Sequence, residues 1–225
     1  MTGTIFNCVM IIIGSTVGSL MNKGLKERYQ NILMQAMGFA AIALGLNAVV
    51  QFMPKSNEPV LFIVSLAIGA VIGEKLDVEK NFNSFVGRFS KGPLAKGLST
   101  AILLFCIGTL SILGPINSAL QGDYTYLITN GILDGVTSMV LASTFGFGIA
   151  LSAVAVFLWQ GLFYVLALFL NDFMTAELLT EISIIGGILI FATGISILGI
   201  KNIKGLNMLP ALLIPPLYFI IKSFF

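Results

Sequence analysis

Apolar runs, each roughly 18 to 23 residues long, follow one another along the whole of this 225-residue chain. A run of that length forms a helix long enough to cross the hydrocarbon core of a bilayer, which is about 30 Å thick. The chain carries only 12 basic and 10 acidic residues, whereas about a quarter of the residues in a soluble domain are charged. The sequence therefore predicts an all-α bundle of membrane helices, a single transmembrane domain over residues 1–225 with the lipid bilayer as its surroundings.

Hydropathy and charge placement together predict eight membrane crossings. The expected spans are 3–21, 31–53, 59–76, 97–119, 125–145, 147–170, 178–199 and 205–223. Short cytoplasmic loops are enriched in Lys and Arg. Eight crossings with the N-terminus outside place ten of the twelve basic residues in the cytoplasm, all except Lys55 and Lys222. Reading 125–170 as one crossing would instead place Lys201 and Lys204 outside, so eight is the preferred count.

This topology predicts that both termini lie outside and that residues 75–96 lie in the cytoplasm. In single-cysteine variants of the intact protein, a membrane-impermeant thiol reagent added from outside should modify a cysteine at position 123. The same reagent should leave a cysteine at position 91 unmodified. Modification of position 91 but not of position 123 would overturn the topology.

The longest polar segment, 74–96, is predicted to be a cytoplasmic linker. Apolar residues recur in it at near-helical spacing among mixed charges, which is compatible with a helix lying along the membrane interface. The alternative, which we prefer, is a solvated extension of the third helix. In either case Pro93 is expected to end the helix, because proline lacks an N–H and obstructs the preceding turn.

Short motifs rich in small residues occur twice in the chain and predict an internal repeat with halves 1–96 and 121–225. Three matches favour a parallel repeat: 14–18 with 142–146, 68–75 with 193–201, and 96–99 with 204–207. A rival match joins spans two and seven, which run in opposite directions, and so implies inverted repeats. It pairs Gly38, Gly45 and Asn47 with Gly187, Gly194 and Ser196. Both designs occur in transporters, where the binding site lies near the membrane midplane between the repeats.

Asp134 is an ionisable residue deep inside a predicted span. A charged side chain at the centre of a membrane helix costs about 2.5–3.5 kcal/mol on the insertion scale, so it commonly faces a protein interior or a wet cavity. Asn130, Thr137 and Ser138 share one stripe of the same helix with Asp134, at helical spacing. We expect these four residues to bind a small ion or solute.

No Lys or Arg lies inside a hydrophobic span to pair with Asp134. Its partner is therefore expected to be an amide, a hydroxyl, a bound cation or a proton, with the protein group coming from span four, six or eight. Candidate side chains within spans are Asn117, Gln160, Asn207, Thr109, Ser111 and Ser196. The structural alternative is that Asp134, in a neutral form, anchors neighbouring helices through hydrogen bonds.

Prolines and glycines predict breaks and close contacts in several spans. The expected breaks lie at Gly114-Pro115 in span four and at Asn207–Pro210 and Pro215-Pro216 in span eight. Broken helices at membrane depth persist only where they are buried in protein or line a cavity. The pairs Gly14/Gly18 and Gly69/Gly73 predict faces where helices approach closely. Cys8 and Cys106 lie in apolar segments and are expected to be small core residues.

Composition disfavours catalysis and nucleic-acid binding. The chain has no histidine, and it contains no Gly-x-Ser-x-Gly elbow, phosphate loop or cluster of carboxylates. We therefore expect no enzyme activity, no metal and no cofactor. The net charge of +2 is too small to indicate a nucleic-acid partner.

Five segments together resemble the YqgA/YdfK-type family of membrane proteins, which is defined by domain of unknown function 554. They are SLAIGAVIGEKLDVEK (65–80), LLFCIGTLSILGPINSALQGD (103–123), ILDGVTSMVLASTFGFGIALSA (132–153), ISIIGGILIFATGISILGIK (182–201) and NMLPALLIPPL (207–217). The resemblance implies a multi-pass protein of the bacterial cytoplasmic (inner) membrane. Members of this family often have a Lys four residues before the Asp, where this chain has Asn130. A shared Lys–Asp mechanism would here be replaced by an amide–carboxylate pair.

Together these features favour a transporter of a small ion or solute, with Asp134 as the proton or cation coupling site. The alternative is a membrane scaffold or assembly partner that does not transport, in which Asp134 only locks helices together. A water-filled cavity that reaches Asp134 would favour the first function, and a dry, fully hydrogen-bonded carboxyl would favour the second. The small size and Gly-rich faces also predict a homodimer.

Overall fold

The computed structural model describes residues 1–21, 26–87, 93–107, 110–169 and 175–222, and in these ranges the regular elements are helices. The α-helices are α1 (Thr2–Leu20), α2 (Glu27–Phe52), α3 (Leu61–Lys75), α4 (Val78–Gly87), α5 (Pro93–Ile107), α6 (Leu110–Leu120), α7 (Thr125–Phe145), α8 (Ser152–Phe169), α9 (Ala176–Ile197), α10 (Gly205–Met208) and α11 (Ile214–Lys222). Short 3₁₀ helices occupy Met53–Lys55, Phe147–Leu151 and Leu209–Leu213.

Five helical segments of the described chain are long and apolar enough to cross a membrane, or six if the bent pair α5 and α6 forms one span. The predicted spans 59–76 and 125–145 are not among them. Helix α3 has only 15 residues, and α7 carries a polar stripe that lowers its hydropathy. The prediction of an all-helical membrane protein is confirmed, and the count of eight crossings stays a prediction.

The chain forms two compact units, and each unit takes segments from both ends of the sequence. The first unit comprises Met1–Met37 and Asn83–Asn171, and the second comprises Gly38–Phe82 and Asp172–Phe225. The units therefore do not coincide with the predicted halves 1–96 and 121–225. The internal repeat itself, parallel or inverted, stays a prediction.

In the first unit, α1 packs along α7 through the predicted Gly14/Gly18 face. A Cβ atom placed on Gly14 would lie 2.0 Å from the carbonyl oxygen of Gly135, and one on Gly18 would lie 2.2 Å from that of Met139. The contacting residue numbers rise together, so α1 and α7 run in the same direction. That direction is the one expected of the first and fifth crossings. Helices α5, α6 and α8 also belong to this unit and pack against α1 or α7.

In the second unit, α9 packs against α2, α3 and the segment from α10 to α11. Gly45 of α2 faces Gly187 of α9, and Gly38 faces Gly194, so these two helices are antiparallel. The glycines of the rival repeat match are thus packing partners. Helix α3 makes the other close contact, because Gly69 faces Ala211 and Gly73 faces Asn207. Both predicted glycine faces are therefore used in helix packing.

The expectation that the third helix continues into the linker is wrong. Helix α3 ends at Lys75, and α4 begins as a separate helix at Val78. Between them Asp77 adopts a left-handed backbone with φ 48°, which a right-handed helix cannot contain. Residues 88–92 lie outside the described residues. Pro93 begins α5 rather than ending a helix, because a proline in the first turn loses no helical hydrogen bond.

The break predicted at Gly114-Pro115 in span four is not found there, whereas span eight changes helix type near its prolines. The segments Thr100–Cys106 and Leu110–Leu120 are bent by 45°, whereas Pro115 lies inside α6. A proline obstructs the carbonyl four residues before it, and this position is Ser111 at the start of α6. The bend therefore precedes Gly114-Pro115. In span eight the chain changes from α10 to a 3₁₀ helix and then to α11, as its prolines predict.

Candidate functional site

Asp134 lies in the interior of the first unit, between α7 and α1. Its side chain is 5% exposed, while Ile128 and Ile132 on the opposite side of α7 are 43% and 45% exposed. Two amides donate hydrogen bonds to the Oδ2 atom of Asp134. The Nδ2 atom of Asn130 is 2.8 Å away and the Nδ2 atom of Asn7 is 2.9 Å away. The amide–carboxylate pair of α7 is therefore formed.

The partner of Asp134 from another helix comes from α1, whereas the sequence led us to expect span four, six or eight. Asn7 reaches Asp134 because Gly14 and Gly18, two and three turns further along α1, bring the backbones of α1 and α7 together. Asn7, Gly14 and Gly18 share one face of α1 at helical spacing. That shared face is a signal that would have identified Asn7 from the sequence.

The surroundings of Asp134 are neutral in the part of the chain that the structure describes. The salt bridges found there join Lys204 to Glu74 and Lys222 to Glu58, and both lie in the second unit. Cys8 of α1 and Cys106 of α5 lie within range of an electrostatic interaction with Asp134. Cys106 is buried, and the Sγ atom of Cys8 donates to the carbonyl oxygen of Ala153 at 3.4 Å. Among the described residues, Asp134 therefore has amide and thiol neighbours, and the salt bridges lie elsewhere.

The interior of the first unit contains several buried polar atoms without a hydrogen-bond partner among the described residues. They belong to four of its helices: Thr4 Oγ1, Asn7 Oδ1 and Ser15 Oγ on α1, Ser118 Oγ on α6, Ser138 Oγ on α7, and Gln160 Oε1 on α8. Buried polar groups in folded proteins nearly always have a partner, which can be an ordered water or an ion. The interior of the first unit is therefore polar as well as buried.

The other predicted site residues fall into two groups. Asn117, Gln160 and Ser138 are buried in the first unit, and Thr137 is half-buried. The Nε2 atom of Gln160 donates to Ser111 Oγ at 3.2 Å. Ser196 instead holds the loop after α9, through Lys201 and Ile203. Thr109 lies outside the described residues.

Asn207 belongs to the second unit, where it has partners of its own. Its Nδ2 atom donates to Glu74 Oε2 at 2.7 Å, and its Oδ1 atom accepts from the backbone N–H of Glu79 at 2.8 Å. Glu74 also pairs with Lys204, and this hydrogen bond raises the pKa of Lys204. Partial burial raises the pKa of Glu79. Asn207 thus secures the turn between α3 and α4, beside an open cavity of about 310 Å³.

A second buried carboxyl, Glu181 of α9, was missed by the sequence reasoning. Hydropathy places it near the end of a span, where a solvated carboxylate is expected, but its side chain is 1% exposed. Ser56 donates a hydrogen bond to its Oε1 atom. The described residues contain no group of three or more His, Cys, Asp or Glu side chains placed to hold a metal ion.

Comparisons with known proteins give a family but no activity. The family model described as "Protein of unknown function (DUF554)" matches residues 2–220. The chain is 60% identical to the uncharacterized membrane protein YdfK of Bacillus subtilis (strain 168), over all of this chain and 98% of the relative. It is 29% identical to the uncharacterized protein YqgA of Escherichia coli (strain K12), over 94% of this chain and 93% of the relative. No solved structure matches. This helical membrane protein belongs to the DUF554 family.

Proposed function

We propose that this protein transports a small ion or solute across the bacterial cytoplasmic membrane, with Asp134 as the site that binds the coupled proton or cation. The observation that carries the proposal is the neutral, buried setting of Asp134. Its Oδ2 atom accepts two amide hydrogen bonds, and the salt bridges of the described chain lie elsewhere. A buried carboxylate without a cationic partner is unfavourable, so it binds a proton or a cation.

In this proposal, the buried hydroxyls and amides of the first unit line the path of the coupled proton or cation. Ser138 lies one turn beyond Asp134 on the buried face of α7, and its hydroxyl has no partner in the described chain. Thr4 and Ser15 supply further buried hydroxyls on α1, which packs directly on α7. Hydroxyls and amides exchange partners readily, because they can both donate and accept. Asn117 and Gln160 extend this proposed polar lining on α6 and α8.

A second candidate function rests on the contact between α1 and α7. The Asn7–Asp134 hydrogen bond joins the two helices at the face where the glycines bring them together. Interhelical hydrogen bonds of this kind hold membrane bundles together at about 0.6–2 kcal/mol each. In this alternative the protein is a scaffold or assembly partner that does not transport, and Asp134 is a structural anchor.

The accessibility of Ser138 to water distinguishes the two functions. In a background with Cys8 and Cys106 replaced by Ala, we expect silver ion to react with the thiol of Ser138→Cys in folded, lipid-embedded protein. The matched control is Ile132→Cys, which lies on the exposed face of the same helix and should face lipid. We expect position 132 to stay unmodified. An unreactive cysteine at position 138, which becomes reactive only on denaturation, would favour the scaffold.

The remaining parts of the proposal concern the assembly and its chemistry. We propose a homodimer, because a chain of 225 residues is small for a membrane transporter. The proposal assigns the protein no catalytic reaction, no cofactor and no nucleic-acid partner. Its functional chemistry is binding and release at Asp134.

A further inference from the structure

Glu181 is held at the start of α9 in the second unit, within two turns of the N-terminus of the helix. Its side chain is 1% exposed. The hydroxyl of Ser56 donates to Oε1 of Glu181 and accepts the backbone N–H of Glu58 at 3.0 Å. The Oε2 atom is buried and has no hydrogen-bond partner in the described ranges. The Ser56 hydroxyl and the backbone N–H of Glu58 are therefore the hydrogen-bond donors that the described residues offer this carboxyl, and both are neutral groups.

The charged groups near Glu181 are paired with other residues. The ammonium of Lys222 lies 2.7 Å from Glu58 Oε1, and this hydrogen bond, with one from Tyr218, holds the pKa of Glu58 below its usual range. Glu177 accepts a hydrogen bond from Asn57 at 3.1 Å. Lys55 lies over the ring of Phe52 at 5.2 Å. Glu58 and Tyr218 are close enough to act on the charge of Glu181, and neither can neutralise it.

We propose that Glu181 is a proton-binding site of the second unit, separate from Asp134. An ionised Glu181 would be a buried negative charge beside the ionised Glu58, with only the neutral Ser56 hydroxyl and Glu58 backbone N–H as donors. Burial and a like charge both favour the neutral form of a carboxyl, and an uncompensated buried charge gains a proton instead of remaining ionised. The carboxyl therefore carries a proton when the second unit has the conformation seen here.

The position of Glu181 makes this proton exchangeable. Ser56 and Glu58 connect the carboxyl to the exposed Lys222 end of α11. The predicted topology places this end of α9 outside. A proton bound here would enter or leave on the outer side, close to the ion pair of Glu58 and Lys222. Loss of the proton would place a second negative charge near that ion pair.

Carbodiimide labelling of the full-length protein in lipid nanodiscs tests the proposal, because hydrophobic carbodiimides react with protonated carboxyls in apolar surroundings. We expect mass spectrometry of peptides to find the adduct on Glu181. Above its midpoint, labelling should fall about tenfold for each unit of pH, since the protonated fraction does so. Glu177, exposed on the same helix, is the internal control and should remain nearly unlabelled. An adduct on Glu181 that is absent, no greater than on Glu177, or independent of pH would overturn the proposal.

Two variants test the hydrogen bond that supports the site. Ser56→Ala removes the hydroxyl donor that stabilises the ionised form, so the labelling profile of Glu181 should move to higher pH. Asn57→Ala, its neighbour, removes only the contact with Glu177 and should leave the profile unchanged. A profile that stays in place or moves to lower pH in Ser56→Ala would contradict the assigned site. Asp134 takes no part in this readout, so failure here leaves the proposed transport function untouched.

Discussion

Replacing Gly14 by Ala should destabilise the protein strongly, because the added methyl group has no room. Its Cβ atom would lie 2.0 Å from the carbonyl oxygen of Gly135 and 2.9 Å from the carbonyl carbon. Both atoms belong to the backbone of α7, which cannot rotate away as a side chain can. Overpacking costs about 1–3 kcal/mol and occasionally more. We expect α1 to move away from α7, and the Asn7–Asp134 hydrogen bond to be lost with it.

Thermal unfolding of the detergent-purified variants measures this effect. A loss of 1 kcal/mol lowers the melting temperature by roughly 2–4 °C in a chain of this size, so Gly14→Ala should show a decrease of several degrees. Gly161→Ala on α8 is the matched control, because the atom nearest to its new Cβ would be Met1 Cε at 3.7 Å. Equal melting temperatures for the two variants would show that α1 and α7 are not as close as described.

Replacing Asp134 by Asn should leave folding largely intact and abolish proton- or cation-coupled flux. Asn7 and Asn130 both donate to the Oδ2 atom, and the amide oxygen of an asparagine can accept both hydrogen bonds. Asn cannot release a proton or supply the full negative charge that a desolvated cation needs. The substitution thus removes the proposed coupling and keeps the structural contact.

Replacing Asp134 by Leu should instead remove the hydrogen bonds that Asp134→Asn keeps. A leucine has a similar size but accepts no hydrogen bond, so the amides of Asn7 and Asn130 would lose their buried acceptor. An unsatisfied buried polar group costs about 1–3 kcal/mol, and we expect this variant to unfold at a clearly lower temperature than Asp134→Asn. Equal stability of the two variants would show that the two amide contacts do little to hold α1 and α7 together.

Local patterns in the sequence were sufficient to predict an all-helical chain and the buried faces of α1 and α7. Asn130, Asp134 and Ser138 lie on the buried face of α7 because helical spacing puts them there. Gly14 and Gly18 lie at a helix contact because only small residues permit such an approach. These features depend on residues a few positions apart, which one sequence contains.

Contacts between distant helices could not be predicted in the same way. Asn7 and Asp134 are 127 residues apart. The spacing of residues within one helix does not show which other helix packs against it. Asn207 was a candidate partner of Asp134, and its contacts with Glu74 and Glu79 were not predicted from the sequence. Glu181 lies near the end of a predicted span, and hydropathy does not show that Ser56 contacts its carboxyl. In each case the partner depends on tertiary packing.

Flux in reconstituted vesicles tests the role of Asp134 most directly. Wild type, Asp134→Asn and the control Glu27→Gln, which changes an exposed acid at the start of α2, would be compared with empty vesicles. Internal pH would be followed with a dye while gradients of small cations, anions and neutral solutes are imposed. We predict protein-dependent proton or cation movement with wild type and Glu27→Gln, and none with folded Asp134→Asn. Transport by Asp134→Asn at the rate of wild type would contradict the account and leave Asp134 as a structural anchor.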